Sequence, residues 1–239
     1  LHIMEEMILT YKNIKDFINH NKLTGALNIP ISDFGNIGEL TPFLELAEKL
    51  GATHGHFIEG AVSSIKVECA GSIEDPNPII LSFLKGFLSK RVSERLNFIN
   101  AEAVAKELGI TVEKTESSDS GGYSNLIRTT VSKGDQPSTI HGTVFDVNRI
   151  AFTHFLGYDL DIEPRGTILF IKNKDVPGVV GKVGTILGEC GVNIGVYLLS
   201  RKKDGFALGA IRVDNVVSGQ TFEVLKELEE VVFLKQIRY

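Results

Sequence analysis

The chain of 239 residues is 43% apolar and 23% charged, the mix of a globular protein able to bury a core, and its length suits two domains or three small ones. Lysine and arginine number 25 against 30 acids, a net charge of −5 with no basic block, which argues against nucleic acid and anionic membranes as partners. The two cysteines, Cys69 and Cys190, cannot build a disulfide framework or a cysteine-rich metal site and suit a reducing, cytoplasmic setting, and neither a membrane-length apolar run nor a signal-peptide pattern is expected here.

Met4, Met7, Ile8, Tyr11, Ile14 and Ile18 recur at helical spacing and predict an opening helix with no cap before it. A short extended piece at Ala26-Leu27-Asn28-Ile29-Pro30 and a loop marked by Gly35 and Gly38 follow. A second helix is expected with Thr41 as N-cap, Pro42 at its first position and Gly51 as its stop. Residues 64–69 alternate like a strand, 79–88 have helical spacing, and 95–100 alternate again. Ala101 to Leu108 is a helix ended by Gly109, followed by strand-like runs near 111–116, 124–131, 139–146 and a pair near 149–163. Glu116 to Gly122 is a polar loop, and the block as a whole is α+β.

From Thr167 the pattern sharpens. A strand at 167–171, a helix opened by Pro177-Gly178 and closed by Cys190-Gly191, and a strand at 192–200 come first. A hairpin turn over 201–205, a strand at 206–213, a helix capped by Ser218 and a strand at 231–237 complete the series. The order βαββαβ predicts a ferredoxin-like domain.

Gly178, Gly181 and Gly184 follow a strand, but their G-x-x-G-x-x-G spacing and the hairpin beyond the helix argue against a dinucleotide site. The same turn suits a different ligand. Unpaired N–H groups at the helix start accept a carboxylate, Asp175 is placed to receive an ammonium group, and Asn193 can bridge polar groups, which is the chemistry a free α-amino acid needs. The alternative is that Asp175 and Asn193 are cap and turn residues only. Arg128, Arg149, Arg165 and Arg212, in or beside strands, read either as anion ligands or as solvated strand charges. His54-x-His56 lacks a third metal ligand at useful spacing, and no catalytic constellation forms around His141 or His154, so no catalytic residue and no metal are assigned.

Three stretches together resemble the D-3-phosphoglycerate dehydrogenase family in its long form. Ala26-Leu27-Asn28-Ile29-Pro30 with Pro42 through Gly51 is similar to the end of the catalytic portion. Leu84 through Ser89 and Arg95 through Ala101 are similar to the intervening domain, and Asp175 through Gly181 with Gly191-Val192-Asn193-Ile194 to the C-terminal ACT domain. The resemblance implies residues 1–51 as the tail of the catalytic portion and linker, 52–166 as an intervening, allosteric substrate-binding domain, and 167–239 as an ACT regulatory domain. It also implies a regulatory, oligomerising role, as homodimer or homotetramer, with L-serine bound between paired ACT domains.

The effector-binding positions that match the family are Asn173, Asp175, Gly178, Val179 and Asn193, with Asn173 standing where some members have histidine. Arg212 matches a basic residue of an anion site, with Arg149 as a further candidate, while Ala151 and Glu163 stand where other basic groups are expected. The family's NAD-binding fingerprint and catalytic pair have no counterpart in the sequence, so NAD is expected in a full-length parent carrying the missing catalytic half and no cofactor is expected here. A regulatory part of an L-serine dehydratase, disfavoured by Asn28-Ile29-Pro30 and by too few cysteines, and a purely structural oligomerisation module are the alternatives.

Overall fold

Two sheets and the helices laid on them make up the described residues of the computed structural model, 37–239 apart from 74, 94–95 and 147–148. The helix expected over residues 4–18, the extended piece at 26–30 and Gly35 lie outside them.

Helix α1 (Ile37–Phe57) is longer at both ends than the sequence suggests. Gly38, Thr41 and Pro42 lie within it rather than before or at its start, and Gly51 does not stop it. The reason is a close crossing with α2 (Asn77–Leu88). A Cβ built on Gly51 would sit 2.1 Å from the Phe83 carbonyl oxygen, and one on Gly86 would sit 2.0 Å from that of Glu48. These glycines are bare because two backbones touch, which leaves the helix free to run on to Phe57. The helix is therefore continuous across residue 51, where a domain boundary was expected.

Strand β1 (Ser64–Gly71) and α2 come next, and of the strand expected at 95–100 the described residues, 96–100, form a turn instead. In that turn the Asn97 side-chain oxygen accepts from the N–H groups of Ile99 and Asn100, and the Asn100 oxygen accepts from that of Asn97. Asparagine thus offers the backbone partners that a strand would have to supply. Helix α3 (Ala101–Glu107) leads to β2 (Thr111–Ser117), β3 (Asn125–Lys133), β4 (Gln136–Phe145), β5 (Arg149–Phe155) and β6 (Tyr158–Ile162). These strands form one sheet in the order β2-β1-β3-β4-β5-β6, with β1 and β2 parallel.

The second sheet holds β7 (Thr167–Lys174), β8 (Ile194–Arg201), β9 (Phe206–Val213) and β10 (Val231–Arg238) in the order β10-β7-β9-β8, all neighbours antiparallel. Helices α4 (Val179–Glu189) and α5 (Gly219–Lys226) complete the ferredoxin-like βαββαβ unit. Ser218 caps α5 by accepting from the Thr221 N–H, as its sequence position implies. Strand β8 forms an edge.

Alternation splits the second sheet between two cores. Leu169, Ile171, Ile211 and Val213 pack with Val183 and Leu187 of α4 and Leu225 of α5. Ile168, Phe170, Leu208 and Ala210 pack instead into the core of the first sheet. At that seam Phe155 and Phe170 stack at 4.3 Å, and Phe57 meets Phe155, Phe170 and Phe233 edge-on at 5.1–5.8 Å. Because the apolar face of each sheet is completed by the other, thermal unfolding is expected as one transition. Calorimetry should give equal calorimetric and van't Hoff enthalpies, whereas two resolved peaks would show the sheets to be independent. No helix among the described residues is long and apolar enough to cross a membrane.

Candidate effector site

The turn between β7 and α4 is built by its sequence. Gly178 adopts φ +94°, a left-handed conformation that L side chains resist, and it stands as N-cap without a side-chain bond. An α-helix start leaves its first N–H groups without intrahelical partners, so those of Val179, Val180 and Gly181 face the turn. The Val179 side chain is buried under the helix, which fixes the direction of that opening. Asp175 lies just before it, its carboxylate 19% exposed and bonded by Arg201 Nε at 2.7 Å, while its N–H donates to the Gly205 carbonyl at 2.9 Å. Asn173, buried on the helix-covered face, donates from Nδ2 to the Lys174 carbonyl at 2.7 Å. Lys182 pairs with Glu230 across the same end of the domain and holds that carboxyl below its ordinary range.

Asn193 is not there. It is exposed at the opposite end of the domain, donating to Asp214 Oδ2 at 2.8 Å. Asn173 pairs across the sheet with Ala207, and Ile194 with Val213. Six residues of β9 therefore separate the two ends, about 20 Å of strand. Within one chain the structure groups Asn173, Asp175, Gly178 and Val179 but leaves Asn193 apart. Arg201, which sequence reading places only in a hairpin turn, belongs to the first group. The signal that finds it is the strand order, because a β8–β9 hairpin must end level with the end of β7.

The candidate anion residues gather around one carboxylate, Glu163. Arg212, on the face of β9 toward the first sheet, approaches Glu163 Oε2 at 3.6 Å, and that carboxylate accepts from Arg165 at 2.7 Å. Arg149 stacks over Phe145 at 4.3 Å and lines a cavity of about 470 Å³ with Lys49, Asp146, Glu163 and Arg165. Glu163 thus stands as counter-ion where an anion ligand would need open charge.

A second cavity, about 620 Å³, lies on the first sheet around Tyr123, Arg128, His141, His154 and Asp159. His141 and His154 stack at 4.6 Å, Arg128 pairs with Glu68, and burial together with His154 and Arg128 lowers the His141 pKa to about 4. No three His, Cys, Asp or Glu among the described residues are placed to hold a metal ion.

Residues 39–155 match the D-3-phosphoglycerate dehydrogenase intervening domain. The chain is 28% identical to D-3-phosphoglycerate dehydrogenase of Archaeoglobus fulgidus over 91% of its length and 43% of that protein. It is 27% identical to that of Bacillus subtilis over 95% of this chain and 44% of the relative, and 30% identical to that of Synechocystis sp. over 85% and 38%. The chain spans less than half the length of these relatives. Among solved structures it is similar to the ACT domain from GTP pyrophosphokinase of Chlorobium tepidum, at 16% identity and a TM-score of 0.26, covering 30% of this chain and 97% of that one.

Proposed function

Because the chain belongs to the D-3-phosphoglycerate dehydrogenase family and corresponds to the C-terminal part of its members, we propose that it is the regulatory, oligomerising part of such an enzyme in cytoplasmic L-serine biosynthesis. In this reading, two copies bind L-serine as a feedback effector between their ferredoxin-like domains. The observation that carries it is the placement of Asp175 and the glycine turn at one end of the edge strand β8 and of Asn193 at the other. Antiparallel pairing of β8 with β8 of a second copy, about a two-fold axis, sets Asn193 of one copy beside the Arg201 end of the other. That end is where the second copy's Asp175 sits, so a site divided in one chain becomes whole in a dimer.

The chemistry suits the zwitterion. The α-carboxylate lies on the N–H groups that open α4, favoured by the positive end of the helix dipole. The ammonium group pairs with Asp175, and the Asn193 amide of the second copy meets the hydroxyl. Oxidation of 3-phosphoglycerate with NAD is proposed for the whole protein and not for these residues. A dinucleotide cradle needs the strands on either side of its glycine turn and helix to be parallel partners in one sheet. Here β7 and β8 are separated by β9, so the described residues do not fit NAD and no step is routed through it.

Calorimetry of the chain with L-serine should show saturable binding that D-serine does not reproduce. Asp175→Ala is expected to weaken it at least tenfold, because a bond to a charged group is lost. Folding stability should fall by no more than the contribution of its ion pair with Arg201, about 0.2–1 kcal/mol. An unaltered affinity would refute the assignment, and no heat at millimolar L-serine would favour a purely structural module.

A further inference from the structure

The carboxylate assigned to the ligand's ammonium group already has a cation on it. Arg201 Nε donates to Asp175 Oδ2 at 2.7 Å. We propose that Arg201 is an internal stand-in for that ammonium group, a latch that an α-amino acid must displace to enter and that lowers affinity only for ligands bringing an ammonium group to Asp175. The inference rests on the reading of Asp175 given above.

Three features carry it. First, the two partners are unequally held. The Asp175 side chain is 19% exposed and the Arg201 side chain 68%, so the arginine can swing into solvent while the carboxylate stays in the turn. Second, the hairpin does not depend on the ion pair for its place. The Asp175 N–H bonds the Gly205 carbonyl at 2.9 Å, and within the hairpin the Lys202 N–H bonds Phe206 and the Phe206 N–H bonds the Asp204 carboxylate. Releasing the guanidinium therefore leaves the backbone seam of hairpin and turn intact. Third, charge is balanced in both states. Asp175 keeps one cationic partner before and after the exchange, so the half-buried carboxylate is never left alone, which would cost more than the pair itself contributes.

The exchange also separates two classes of ligand. A carboxylic acid without an ammonium group, such as 3-hydroxypropionate, can sit on the N–H groups of α4 but has nothing to offer Asp175. It therefore leaves the latch closed. An L-serine molecule opens it, and its apparent affinity is its intrinsic affinity multiplied by the fraction of sites already open.

The test compares the chain with its Arg201→Ala, Arg201→Gln and Asp175→Ala variants, titrated calorimetrically with L-serine and with 3-hydroxypropionate. An exposed ion pair contributes about 0.2–1 kcal/mol, so removing the latch should tighten L-serine binding about two- to fivefold. Binding of 3-hydroxypropionate should not tighten. Arg201→Gln keeps the length of the side chain without its charge and should behave like the alanine variant, which covers the case in which alanine alone disturbs the hairpin. Unchanged or weaker L-serine binding in both Arg201 variants, with Asp175→Ala still abolishing it, overturns the latch and leaves the effector reading standing. Equal tightening for both ligands also overturns it, since the gain would then owe nothing to the ammonium group. If Asp175→Ala binds L-serine like the unchanged chain, or none of the proteins binds it, the effector reading fails and the latch fails with it.

Discussion

Alanine at Gly86 is expected to cost about 3 kcal/mol or more of folding stability, the upper range for forcing extra atoms into a packed core. The added Cβ would stand 2.0 Å from the Glu48 carbonyl oxygen and 2.8 Å from its carbon, both backbone atoms of α1 with no rotamer to escape into. Relief requires α1 and α2 to move apart. That separation would loosen Leu46, Leu50, Phe83 and Phe87, all fully buried around the crossing. Gly188 of α4 is the matched control, because nothing lies within 4 Å of its absent Cβ. Alanine there should be neutral or stabilise by about 0.5–1 kcal/mol through helix propensity. Urea midpoints of the two variants measure the contrast, and a Gly86→Ala protein as stable as its parent would show that the helices do not approach as described.

The second large effect is expected in acid. His54 is fully buried on α1, edge-on to Phe83 at 5.8 Å, with Nε2 2.9 Å from Thr129 Oγ1. Thr129 spends its own proton on the Ile140 carbonyl at 2.6 Å, so it can only accept from His54. This fixes the Nε2–H tautomer and leaves Nδ1 as a buried acceptor without a partner. Burial, aided by His141, pushes the His54 pKa down from 6.5 to about 3. The unfolded chain therefore binds the proton more tightly than the folded one. Stability from this group is complete above pH 6.5 and is lost as the pH falls toward 3. At pH 5 the loss is about 2 kcal/mol, since each pKa unit corresponds to roughly 1.4 kcal/mol.

His141, also lowered by burial, acts in the same direction. His54→Gln keeps a donor for Thr129 and should flatten the fall between pH 7.5 and 5 by about 2 kcal/mol. An acid limb as steep as that of the unchanged protein would mean that His54 titrates normally. The His54 ring resonances of the unchanged protein give a second reading, and they should not move between those pH values.

Helix ends and hairpin turns were legible in the sequence where glycine acts through φ. Gly109, Gly191 and Gly205 all take positive φ, and each closes a helix or turns a hairpin where its position implies. Gly51, Gly55 and Gly86 carry the same letter for another reason, close approach of two backbones or side chains, which no local pattern distinguishes from a helix stop. That is why α1 was expected to end six residues early. Residues 95–100 misled in a related way, since alternation between Asn97 and Asn100 reflects side chains bonding their own turn. At the candidate site the helix start was readable from Pro177-Gly178. The 20 Å or so between Asp175 and Asn193 was not, nor was the Arg201 contact, because both follow from strand register rather than from spacing along the chain.

The aromatic seam between the sheets has a mechanical consequence. Phe155 and Phe170 face each other from different sheets, and Phe57, the last residue of α1, wedges against both and against Phe233. Rings interlocked in this way leave no plane along which one sheet can slip over the other. A rotation imposed at the β8 edge by a second copy or a ligand would not be absorbed at the junction. It would be delivered whole to α1, as a handle transmits torque to the shaft it is pinned to.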